Sequence, residues 1–404
     1  MAVIPRTRPW SGPALLSYGF RPFFLLAGLQ ALWTVLAWTG FQTGLLPPPT
    51  GWPPAAWHAH ELLFGYGFAA VAGFLLTAIP NWTGRLPLSG LPLLGLAGLW
   101  LLGRLAVALA AATPPVLVAL GTLVFPAALL VATAREVVAG ANRRNYPVVG
   151  LVALLALAQL AFHLELARGS PAPVAAHAAI ALFLLLILLI GGRIVPSFTT
   201  NWLRHHRPGA LAPAPFGRFD ALAIAAAALA LALLLLDRIL ALPPSSAGPP
   251  AVLAGALHLV RLARWRPLRV LAEPLLWVLH LAYLFVPLGF LAAGAGLLHD
   301  LPGLAAASTH LWTVGAIGLM TLAVMTRATR GHTGRALTAP PGTVAAYALL
   351  ALAALARAAA SLLPEAAAVL VPFAGLGWVA AFALFLALYG PMLLAPRVPA
   401  GSPP

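Results

Sequence analysis

Apolar runs of about twenty residues recur along this chain, separated by short breaks rich in proline, glycine and arginine. That length is what a helix needs to cross the hydrocarbon core of a bilayer. The pattern predicts twelve spans, near 22–44, 56–80, 90–111, 115–138, 147–168, 173–197, 219–241, 248–264, 273–297, 304–327, 341–362 and 367–392. LPPPTGWPP at 46–54 and LPPSSAGPP at 242–250 are typical of the breaks. The eighth run is the shortest. No polar stretch is long enough for a soluble domain, so the expectation is an all-α polytopic membrane protein, one integral membrane domain over 1–404.

Composition agrees with the pattern. Of 404 residues 62% are hydrophobic and 8% charged, where soluble domains carry roughly 25% charged residues. The net charge of +15 comes from arginine alone, since the chain has no lysine. A basic balance can signal nucleic acid, but these arginines sit in the breaks and orient the helices, so no nucleic-acid partner is expected. With twelve spans, 19 of the 23 arginines fall on one side, from Arg6, Arg8 and Arg21 to Arg397; Arg104, Arg168, Arg238 and Arg357 fall on the other. The positive-inside rule then puts both termini in the cytoplasm. Dropping the eighth span would move the Arg261–Arg269 cluster outside. The opening MAVIPRTRPW lacks the features of a cleaved signal peptide, so the first span is expected to act as an uncleaved one. All-arginine, Ala/Leu/Pro-rich usage suggests a GC-rich bacterial genome. Cysteine is absent, which excludes disulfides, iron–sulfur clusters and thiolate ligation. Any metal must be held by histidine, carboxylate or methionine.

The chain also repeats itself. Aligned without gaps, His60 falls on His310, Gly65 on Gly315, and Thr83-Gly84-Arg85 on Thr333-Gly334-Arg335. A looser third copy runs from His177 to Pro196 and TTNW at 199–202. The copies occupy spans 2, 6 and 10, which suggests three four-helix units, about 20–140, 141–264 and 270–392, in a pseudo-threefold arrangement.

Ionisable groups inside spans are functional candidates. His60, His177 and His310 lie near the outer ends of their spans, at similar depth, and convergence around a common axis would suit haem or copper. The plain alternative is a half-solvated interfacial histidine at each place. His58 and His60 diverge by about 200° on a continuous helix, but chelate one metal if the helix starts near His60. Glu61 reads as a partner that fixes an imidazole tautomer, as a proton-handling group, or as a carboxylate favoured by a helix N-terminus. His280 lies deeper, as a ligand or as a donor to a backbone carbonyl. His163 and His258 read as interfacial, and His205 and His206 as a solvated loop. At the inner ends stand Asn81, Arg85, Arg193, Arg327, His332 and Arg335. These arginines either snorkel or pair with an anion such as a haem propionate.

WHAHELLFGYGFAAVAGFLLTAIPNWTG, GGRIVPSFTTNWL and HLWTVGAIGLMTLAVMTRATRGHTGR, with SYGFRPFFLLAG near the start, resemble the signature regions of the NnrS family, over nearly the whole chain. The resemblance implies a twelve-span bacterial inner-membrane protein containing haem and copper, associated with denitrification and with protection from nitric oxide stress. It implies metal ligation by His58, His60, His280, His310 and His332, with His177 as an addition. The four-helix period is also similar to that of haem-copper oxidase subunits. This chain lacks their His-x-x-x-Tyr on the sixth span and the His-His pair on the seventh, which speaks against a binuclear site of that design.

The resulting expectation is a haem- and copper-binding protein of the nitrosative stress response, with the lipid bilayer and nitric oxide as partners. Two rivals stand beside it: a haem redox enzyme fed by quinol or consuming nitric oxide, and a metal-free proton-coupled transporter or channel.

Overall fold

The computed structural model describes residues 10–48 and 51–399; Arg6 and Arg8 lie outside the described residues. Helices make up most of these residues, with no strand among them. The twelve long helices are α1 Phe20–Gln42, α2 Pro54–Thr83, α3 Leu91–Ala108, α4 Pro115–Ala139, α5 Arg143–Ala167, α6 Pro173–His206, α7 Arg218–Leu240, α8 Pro244–Arg264, α9 Pro274–Leu298, α10 Pro302–His332, α11 Pro341–Leu362 and α12 Pro364–Leu394. All but α8 are long and apolar enough to cross a membrane.

Prolines that look like breaks mostly start helices. Pro54, Pro115, Pro244, Pro274, Pro302 and Pro341 each open one, where the fixed φ is already helical and the missing N–H has no helical partner to lose. Helices α2, α6 and α10 outrun the spans expected for them, at 30, 34 and 31 residues. Their polar ends stay helical through Pro80 and Pro196. His205 and His206 therefore belong to the last turn of α6 rather than to a loop; both are exposed, with Nδ1 on the carbonyl four residues back.

The shared Thr-Gly-Arg closes two of these helices. Thr83 Oγ1 donates to Ile79 O at 2.8 Å and Thr333 Oγ1 to Thr329 O at 2.7 Å. Gly84 and Gly334 follow at φ 71° and 78°. This is a glycine C-cap in the left-handed region, where a Cβ would be strained.

The same three helices each contain a widened stretch with i→i+5 bonding: Glu61–Gly67 in α2, Ile187–Gly191 in α6 and Leu311–Gly318 in α10. Such stretches are rare, and often mark functional sites. They disturb the carbonyl ladder, and here side chains meet the affected carbonyls. Trp100 Nε1 donates to Gly65 O at 2.9 Å, and Arg261 Nη1 to Leu188 O at 3.1 Å. In α10, Thr321 Oγ1 donates to Ile317 O at 2.7 Å and reaches Gly318 O at 2.9 Å.

Helix exteriors are apolar. Leu101, Leu105, Val131, Leu157 and Phe373 are all exposed. A soluble helix would turn polar residues outward; these outward faces suit lipid. Helix α8 falls short in hydropathy because it carries polar residues, and two in its second half, His258 and Arg261, point inward. His258 and Arg261 are fully buried, while Leu253 and Val260 are exposed.

The chain divides into two compact units. The first runs up to Ala179 and includes Met325–Leu337 and the chain from Phe382; the second takes Ile180–Val324 and Thr338–Ala381. The first is packed around phenylalanines: Phe23 and Phe68 on Phe125, and Phe64 on Phe162. In the second, Phe290 packs edge-on to Trp312. That indole sits 2.2 Å from where a Cβ on Gly289 would be, so only glycine lets it approach α9 so closely.

Candidate functional site

In the first unit the widened turn of α2 begins at Glu61, and the polar groups gather there. Glu61 is 5% exposed and His60 not at all. His60 Nδ1–H donates to Glu61 Oε1 at 3.0 Å, Arg104 Nη1 forms an ion pair with the same oxygen, and Gln30 Nε2 donates to Oε2 at 2.8 Å. Gln30 also reaches Thr34 Oγ1. Gly65 makes room: a Cβ there would lie 2.6 Å from Arg104 Nη1 and 3.2 Å from Gln30. A carboxylate buried in a membrane helix thus has a guanidinium and hydrogen bonds, as buried charge requires.

With its Nδ1 proton on Glu61, His60 keeps a lone pair on Nε2. Gln159 Nε2 lies 3.4 Å from that atom and 3.3 Å from Thr122 O. His163 follows, with Nε2 2.7 Å from Thr122 Oγ1. With the threonine hydroxyl donating to Ala119 O, His163 Nε2–H donates to Thr122 and Nδ1 holds the lone pair. The two imidazole centroids are 5.4 Å apart, and Trp52 lies against both rings. His163, expected at an interface, is 8% exposed because α5 turns it toward Thr122.

The second unit holds another buried network. Arg261 Nε donates to Asp220 Oδ1 at 2.9 Å and its Nη1 to the Tyr283 hydroxyl at 2.9 Å. That hydroxyl meets His258 Nδ1 at 2.7 Å, and His258 Nε2–H donates to Ala223 O at 3.0 Å. Both nitrogens of His258 are used, so it has none left for a metal. His258 too was expected at an interface.

The other candidates divide. His58 is not beside His60: α2 starts at Pro54, both residues are on continuous helix, and His58 stacks on Trp38 with centroids 4.4 Å apart. His177 Nδ1–H donates to Pro173 O at 2.7 Å. His310 Nδ1–H donates to Ala306 O at 3.0 Å, which leaves its Nε2 in the form a ligand needs. His280 is 3% exposed, with Nε2 2.9 Å from Thr199 Oγ1 and a buried Nδ1 without a partner. Arg193 and Arg327 are half-buried. Asn81, Arg85 and His332 line one cavity of the first unit, and Arg335 has a buried Nη1 without a partner. Among the described residues, no three histidine or carboxylate side chains gather in a metal-holding group.

Several members of these clusters carried no functional reading in the sequence: Gln30, Arg104, Gln159, Asp220 and Arg261. The available signal was polarity within an apolar run. Gln30 and Gln159 are amides in the middle of spans, and Arg104 follows a leucine-rich stretch. In the sequence it reads as a topological charge, whereas in the fold its guanidinium turns inward to Glu61.

These features define a multi-pass helical membrane protein with buried histidine and ion-pair clusters at widened helical turns. The chain belongs to the NnrS family, whose description, NnrS protein, matches residues 14–397. No curated protein matches it.

Proposed function

We propose that this chain is a haem- and copper-binding protein of the bacterial inner membrane, acting in the response to nitric oxide and nitrosative stress. Family membership supports the class of function. The observation that carries the metal reading is the buried His60–Glu61–Arg104 group beside His163. Copper accepts imidazole ligands. The imidazole centroids of His60 and His163 are 5.4 Å apart. His60 and His163 would hold the ion, with Gln159 giving up its long 3.4 Å contact to His60 Nε2; Glu61 fixes the tautomer of His60, and Trp52 lies against both rings. His310 would hold haem through its Nε2, with His177 as the second histidine carried over from the family resemblance. When bound, haem and copper supply reversible one-electron chemistry and a site for a small diatomic ligand.

The test is the visible spectrum and elemental content of the purified full-length chain. A Soret band and bound copper are expected. His60→Ala should lower copper content and His310→Ala the Soret band, while His205→Ala should change neither. A chain with neither Soret band nor copper overturns this reading. It would leave the run Arg104–Glu61–His60–Gln159–Thr122–His163 as a proton path, which a proton-coupled transporter would need. Nitric oxide consumption by loaded protein with a defined electron donor separates turnover from binding.

A further inference from the structure

At the other end of α2 from His60, the first unit contains a cavity of about 410 Å³. It lies among the start of α1, the ends of α2 and α10 and the segment after α12. Arg21, Arg85, Arg397, His332 and Asn81 line it, and among the described residues no acidic side chain does. Trp10, Tyr18 and Phe20 provide an aromatic wall, and the His332 ring stacks on Tyr18 at 5.7 Å.

The charge on this wall lacks compensation. Arg21 is 3% exposed. Its Nη1 donates to the carbonyls of Leu393 at 2.8 Å, Ala395 at 2.6 Å and Met392 at 3.3 Å. All three acceptors are neutral, and no carboxylate among the described residues pairs with Arg21. Arg335 is close enough to repel it, and Arg335 Nη1 is itself buried without a partner. A guanidinium taken out of water needs a counter-charge, and a like-charged neighbour raises that need. Arg85 is paired with Glu136, which Arg135 shares at 2.9 Å, so that one carboxylate serves two cations.

We propose that this cavity binds a phosphate group, with its oxygens on the arginines and, where a lipid carries it, the adjoining apolar portion of the lipid against the aromatic wall. Guanidinium forks match phosphate oxygens, and aromatic residues favour the level of lipid headgroups. The phosphate has two possible sources, an anionic lipid and free inorganic phosphate.

The experiment uses full-length, delipidated, metal-free protein in neutral detergent, so the metal reading can fail without affecting it. Melting temperature and lipid retention by native mass spectrometry are measured with phosphatidylglycerol, with phosphatidylcholine, and with inorganic phosphate against chloride at equal ionic strength. Phosphatidylglycerol is expected to raise the melting temperature above phosphatidylcholine and to stay bound as one molecule. Arg397→Gln and Arg85→Gln should each weaken retention about tenfold, the loss of one charge-assisted contact. Arg135 still holds Glu136 when Arg85 is replaced. Asn81→Ala, a neutral change in the same wall, should weaken it less. Arg204→Gln, at the exposed end of α6, should have no effect. Equal stabilisation by inorganic phosphate alone would keep the phosphate site and assign its source to the free ion. The proposal is overturned if all additives give the same melting temperature, or if Arg204→Gln reduces retention as much as Arg397→Gln does.

Discussion

At the scale of single residues, Glu61 is a carboxylate taken out of water within an apolar helix. Its carboxylate is stable in the apolar interior because Arg104, Gln30 and His60 surround it. Removing one partner strands the rest. Arg104→Leu should destabilise the protein by about 3–5 kcal/mol, the usual cost of leaving a buried charge unpaired. The double variant Glu61→Leu/Arg104→Leu should cost clearly less than the sum of the single variants. Unfolding in graded denaturing detergent measures both, and additive losses would show that the pair is not coupled. Gly65→Ala should reproduce part of the effect, because its methyl occupies the path of Arg104. The candidacy of His60 and Glu61 was legible in the sequence, since polar groups beside an apolar run stand out. Arg104 as their partner was not: it is 43 residues away, and only the packing of α3 on α2 brings the guanidinium to the carboxylate.

At the scale of elements, the repeated motif has a local cause. Thr-Gly-Arg marks the inner end of both copies of the repeat, and its threonine and glycine end a helix in each. Gly84→Ala should cost about 1 kcal/mol, and Gly84→Asn less, because asparagine tolerates the left-handed region; melting temperatures would check the order. The widened turns are a different matter. Nothing in the residue pattern announces i→i+5 bonding, because it depends on neighbours that approach the helix. Gly65, Gly191 and Gly315 lie within the three stretches and are the faint sequence signal. Trp100→Phe removes the donor to Gly65 O, so amide exchange across residues 61–67 should speed up while α1 and α4 keep their rates. Unchanged exchange would mean the indole does not support the turn.

At the scale of the whole molecule, hydropathy and charge make firm predictions. The described residues form the expected helices with lipid-compatible exteriors, including α8, whose inward His258 and Arg261 lower its average hydropathy. Arg21, Arg104 and Arg261 spend their charge inside the protein rather than in loops. Setting them aside leaves the arginine bias on the same side. Both termini are therefore expected in the cytoplasm. The chain has no cysteine, so single cysteines can test this directly. Leu211→Cys, between α6 and α7, should react with an impermeant thiol reagent only in inverted vesicles, and Thr43→Cys, after α1, only in intact cells. The opposite pattern would reverse the orientation.

The sequence by itself determined the class of protein, the number and approximate limits of its helices, the expected orientation and the family. Each rests on local composition or on contiguous motifs, which a chain carries without folding. The tertiary structure decided which polar residues meet. It separated His58 from His60, buried His163 beside His60, used both nitrogens of His258, and left Arg21 and Arg335 without a counter-charge among the described residues. In an apolar medium an ion pair forms wherever two helices bring opposite charges together. Partners far apart in the chain are therefore set by packing, and the residue pattern of one helix cannot name them.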